Sequence, residues 1–116
     1  MEEDKKKPSP LAQKSCAACK HGGTPFDAKE IMLYLGKIEE GWKVVQDHHL
    51  EHDFHFPDFK KALEFTNKVG ALAEREGHHP EISLGWGKVK VTIWTHKING
   101  LSESDFILAA KIDDLS

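Results

Sequence analysis

The sequence predicts an α+β fold: a two-layer sandwich with a four-stranded antiparallel sheet and its helices on one face, in the order α-β-β-α-β-β-α. Three observations predict it. Phe59, Ala62, Leu63, Thr66, Val69 and Ala73 recur at helical spacing, with Phe65 and Leu72 flanking. Val89, Val91, Ile93 and Thr95 alternate with Lys88, Lys90, Thr92 and Trp94, the period of a strand. Shorter apolar segments bounded by glycine, proline and asparagine lie close enough in the chain to form hairpins.

The elements follow in order. Asp27 with Glu30 three residues on gives a capping-box pattern, and Ile31, Leu35 and Ile38 set a helix over 27–39 that Gly41 ends. Residues 42–45 read as a strand, and 49–56, ending in Phe54-His55-Phe56, as its hairpin partner. Pro57-Asp58 opens the long helix over 58–76, and Gly77 stops it. Residues 82–86 give a third strand, loosened by Gly85 and Gly87. The fourth strand ends on His96, whose side chain leaves by alternation on the Trp94 face. Asn99-Gly100 is a turn, and Ser102-Glu103-Ser104-Asp105 caps a last helix that runs to Asp114.

Composition narrows the function classes. The chain has 116 residues, 39% hydrophobic and 30% charged, which suits one globular domain with a modest core. No apolar run is long enough to span a membrane. The net charge of −3 argues against nucleic-acid binding, which draws on a basic surface. The charged, proline-broken start lacks the apolar core of a signal peptide, so the expected compartment is the cytoplasm. Residues 1–26 read as a flexible tail and 27–116 as the domain. Cys16 and Cys19 form a CxxC with His21 nearby. No second CxxC follows, so reduced thiols in the tail are favoured over a zinc or redox site.

Eight histidines are the unusual feature. His48, His49, His52 and His55 are divided by strand alternation between two faces and, with His21, receive no role. His78 and His79 follow the C-terminus of the long helix, and Pro80 holds His79 extended. His96 closes the fourth strand. By spacing alone these three admit a polar bend with a surface histidine, a three-histidine metal set, or acid–base chemistry near neutral pH. Trp86 reads as strand packing and Glu74 as a structural residue near its helix end.

The same residues resemble the pterin-4a-carbinolamine dehydratase family. Its signature is a charged residue, three spacers, His-His-Pro, five or six spacers, an aromatic, nine spacers, His and a later Asp. Glu74, His78-His79-Pro80, Trp86, His96 and Asp105 fill it in register. Phe54-His55-Phe56, Asp58-Phe59, Thr95-His96 and Gly100-Leu101-Ser102 also look like family positions, and the likeness spans residues 41–114. The resemblance implies dehydration of a 4a-hydroxytetrahydropterin to quinonoid dihydropterin, with no metal and no cofactor, the pterin being substrate. It implies catalytic roles for His78, His79 and His96, with His79 chiefly orienting the pterin. Gly77, Pro80, Trp94, Thr95, Lys97 and Asp105 would bind substrate. It further implies a homodimer or homotetramer, a functional link to an aromatic amino-acid hydroxylase, and, as the alternative, a non-enzymatic protein-binding module. Two positions depart from the pattern. Gly77 stands where some relatives carry an acid, and Trp94 is bulkier than the expected small residue.

Overall fold

The strands of the computed structural model, which describes residues 11–13 and 24–115, form one antiparallel sheet in the order β1-β2-β4-β3. They are β1 (Lys43–Val45), β2 (His49–His55), β3 (Glu81–Gly85) and β4 (Lys88–Ile93). The helices are α1 (Ala28–Leu35), α2 (Phe59–Glu76) and α3 (Glu103–Asp113), with 3-10 turns at Leu11–Gln13 and His96–Ile98. The expected α+β architecture and element order are present.

The sheet follows from its alternation. Leu50 pairs with Ile93, His52 with Val91 and Phe54 with Val89, so these side chains share the inner face. Val89, Val91 and Ile93 are fully buried there. Gln46 and Asp47, each at φ 54°, are the central residues of the β1–β2 turn, which His48 closes by donating its N–H to the Val45 carbonyl at 2.8 Å.

The ends of α1, β3 and β4 and the buried face of α2 differ from the sequence expectation, each for a local reason. Helix α1 ends at Leu35 with Gly36 as its cap, short of residue 39. Beyond it, the Glu39 N–H and the Trp42 indole N–H are drawn to the buried Asp113 carboxylate, at 3.1 and 2.9 Å. That pull competes with continued helix. Strand β3 ends at Gly85, and Trp86 stands 74% exposed on the turn, so it does not pack with the strand. Strand β4 ends at Ile93. Thr95 and Gly100 then bond to each other (2.9 and 3.3 Å) and close a tight loop, which puts His96 in a 3-10 turn. On α2 the buried stripe is Ala62, Phe65, Val69, Leu72 and Ala73, while Phe59 and Leu63 are 43% and 39% exposed. The helix carries apolar residues over more than one face, so the sequence pattern left its rotation ambiguous.

Helix α3 is buried on nearly every side, between α1, α2 and the Leu11–Gln13 turn. Leu11 and Ala12 are buried on it, and the Lys111 ammonium donates to the Ala12 carbonyl at 2.7 Å. The expectation of a free tail is therefore corrected at 11–13: an apolar pair covers helix surface that the sheet does not. Phe26 likewise packs on Tyr34 and Phe106, with centroids at 4.9 and 6.2 Å. Cys16, Cys19 and His21 lie outside the described residues. Among the described residues, no helix is long and apolar enough to cross a membrane.

Candidate active site

The end of α2 sets the first half of the site. Gly77 adopts φ 68°, and the Ala73 carbonyl accepts from both the Gly77 and His78 N–H groups. This left-handed stop favours glycine and gives a local reason for Gly77. It turns His78 toward the start of α3. There its Nε2 donates to Asp105 Oδ1 at 2.6 Å. His79 takes another direction: its Nε2 donates to Glu74 Oε1 at 2.7 Å, with both side chains largely exposed.

Asp105 is the hub of the site. It is fully buried in the first turn of α3, where the helix dipole favours a negative charge. Its Oδ2 accepts from the Thr95 hydroxyl at 2.8 Å and from the Ser102 N–H at 2.8 Å. Ser102 Oγ lies 2.9 Å from Thr95 Oγ1, closing the network. One carboxylate thus joins the end of α2, the segment after β4 and the N-terminus of α3. A carboxylate only accepts, so the His78 Nε2 keeps its proton, and Nδ1 is left as the atom that exchanges protons.

His96 follows Thr95 directly. Its ring lies parallel to Trp94, with centroids 4.3 Å apart and planes at 5°. The two share one side of the chain, as the alternation predicted, although the strand itself has ended. Among the described residues the His96 ring makes no hydrogen bond, and Lys97 beside it is exposed and unpaired. Pro80 is half-buried after His79.

Of the nine residues expected at the site, side-chain bonds join His78, Thr95 and Asp105, and stacking joins Trp94 to His96. His79 pairs away from the hub, with Glu74. Sequence reasoning missed three kinds of participant. Glu74 was left structural, although its place in the last turn of α2 puts it within reach of the His pair. Ser102 was seen only as a cap. His48 and His49 were divided by strand alternation, yet His48 lies in the hairpin turn, outside any strand, and both rings pack on Trp94, at 5.3 and 5.9 Å.

Fold and site together define a class: a small α+β domain in which a buried carboxylate ties a helix-end histidine to the loop carrying a second. Comparison with known proteins narrows it. Residues 24–115 match the family model described as Pterin 4 alpha carbinolamine dehydratase. A protein of Alkaliphilus metalliredigens is 56% identical over 89% of this chain and 93% of its own length. One of Rubrobacter xylanophilus is 50% identical over 92% of this chain and 99% of its own. Both are provisionally named pterin-4-alpha-carbinolamine dehydratases. A crystal structure from Brucella melitensis, of a transcriptional coactivator/pterin dehydratase, superposes with TM-score 0.74 at 30% identity, covering 79% of this chain and 98% of that one. A pterin dehydratase-like RuBisCO assembly factor of the alpha-carboxysome gives 0.58 at 25% identity, covering 66% and 90%. The chain belongs to the pterin-4a-carbinolamine dehydratase family.

Proposed function

We propose that the protein dehydrates a 4a-hydroxytetrahydropterin to quinonoid dihydropterin, with His78 and His96 as the acid–base pair. The observation that carries this is the 2.6 Å bond from His78 to the buried Asp105, which fixes the tautomer of an imidazole beside the His96 loop. In the reaction the C4a–O bond breaks, and the leaving hydroxide takes a proton to become water. N5 loses its proton, and that electron pair forms the C4a=N5 bond. One neutral and one protonated imidazole supply both transfers, each contributing about 10²–10⁴-fold. His79, held by Glu74, orients the pterin. Gly77, Pro80, Trp94, Thr95 and Lys97 border it, and Asp105 positions His78. No cofactor takes part. The product suits recycling after an aromatic amino-acid hydroxylase.

Stopped-flow turnover of a 4a-carbinolamine pterin tests this. Acceleration over buffer is expected, with His78→Ala and His96→Ala each slower by about 10² or more. No acceleration, or unchanged variants, overturns it.

A protein-binding role on the same fold is the second reading. Phe59 and Leu63 expose apolar area on α2, and the outer edge of β3 has no partner strand among the described residues. We infer self-association to a dimer or tetramer through these surfaces. A pull-down that recovers a stable heterologous partner, together with absent turnover, would favour the non-enzymatic role.

A further inference from the structure

We propose that His48 and His49 are positioning residues for His96, holding one extra proton between them and using it to lock the loop that carries His96. The proposal deepens the acid–base reading above and rests on it. His48 ends the β1–β2 turn. Its Nε2 lies 2.9 Å from Asn99 Oδ1, and its Nδ1 lies 3.0 Å from His49 Nδ1. The His49 Nε2 reaches Glu51 Oε2 at 3.2 Å. Asn99 closes the His96 loop: it caps the 3-10 turn at φ 53°, and its N–H donates to the His96 carbonyl at 3.1 Å. Trp94 meets both hairpin histidines and stacks in parallel on His96. The hairpin therefore grips the loop twice, once through Asn99 and once through Trp94.

Counting protons gives the charge of the pair. Glu51 and the Asn99 amide oxygen both accept, so both Nε2 atoms donate. The Nδ1···Nδ1 bond needs one further proton. Three protons on four ring nitrogens make one imidazole neutral and the other cationic, and Glu51 opposes that charge. Lys90 also faces Glu51, at 3.6 Å, and Lys43 sits opposite it on β1. Asp47 precedes His48 in the turn, and His96 and Lys97 lie on the loop beyond Trp94. A fourth proton would set N–H against N–H and break the pair. Losing the third would leave one of the bonds without its hydrogen.

The test is nitrogen-15 NMR of the imidazoles in the full chain, from about pH 5 to 8, beside pterin turnover. The nitrogen shifts should place a proton on each Nε2 and one further proton between the two Nδ1 atoms. In His48→Phe the His96 resonances should shift and kcat fall about tenfold, with KM changed by less than about twofold. His48→Gln, which keeps an N–H for Asn99, should recover most of kcat. Asn99→Gly removes the acceptor yet suits the left-handed backbone, and should shift His96 in the same way without altering the hairpin. His55→Gln, on β2 away from this cluster, should change none of these. The proposal is overturned if the pair carries only two ring protons, as a reversed Asn99 amide would give. It is equally overturned if His48→Phe and Asn99→Gly leave the His96 resonances in place. If the wild type shows no turnover, the dehydratase reading falls, and the NMR measurements still decide whether the pair holds the loop.

Discussion

Donors from His78, Thr95 and Ser102 all end on the buried Asp105 carboxylate, so two substitutions there should have different consequences. Asp105→Ala strands one buried and two half-buried donors and should cost about 3 kcal/mol in denaturant unfolding. Asp105→Asn keeps the volume but lets the amide donate, which releases the His78 tautomer. It should lose turnover out of proportion to stability. His52 allows a prediction about pH. Its ring stacks on Phe54 at 3.8 Å and meets the edge of Trp42, and burial lowers its pKa below 6.5. Below that pH the unfolded chain takes up a proton that the folded ring resists. The stability tied to neutral His52 is therefore full above about 6.5 and is lost as pH falls toward the folded value. Thermal melting between about pH 7 and 5 should show a shallower decline in His52→Gln than in the wild type. At this scale the sequence showed His78, His96 and Asp105 through their spacing. It hid His48 and His49, because their role depends on a hairpin turn meeting a distant loop.

The site is assembled from element ends, and glycine conformation sets one of its junctions, at Gly77, and a second outside it, at Gly41. Gly77 is left-handed with open space where a Cβ would stand, so Gly77→Ala should cost about 1 kcal/mol through backbone strain alone. Gly41, at φ 112°, faces the His52 ring, and an added Cβ would stand 2.5 Å from Nε2. Gly41→Ala should therefore destabilise the protein more than Gly77→Ala, as ordered by their melting temperatures. The strong alternation of β4 and the capped length of α2 were legible in the sequence, since each follows one local period. The end of α1, the rotation of α2 and the termination of β4 were not. Asp113, the sheet and α3 against which α2 packs, and the Thr95–Gly100 pairing decide them, and each is a contact between segments distant in the chain or across a loop.

Across the whole molecule, α3 is the internal member and the Leu11–Gln13 turn is part of its cover. Leu11→Ala should lower unfolding stability by about 2 kcal/mol, the lower end for a buried leucine. No measurable change would show that this turn does not cover α3 in solution. The exposed Phe59 and Leu63 set an expectation for assembly: light scattering at micromolar concentration should give more than one chain per particle. Phe59→Glu with Leu63→Glu should lower that number.

The sequence by itself determined the class of fold, the family and the spacing of the three histidines, because these rest on local periodicity and on a motif held within some thirty residues. Only the tertiary structure decided which histidine meets which carboxylate. His78 and Asp105 are 27 residues apart, and His48 and Asn99 are 51 apart. Alternation and helical period state which face a side chain takes, but which neighbour it meets there is set by how the sheet register and helix packing bring remote segments together.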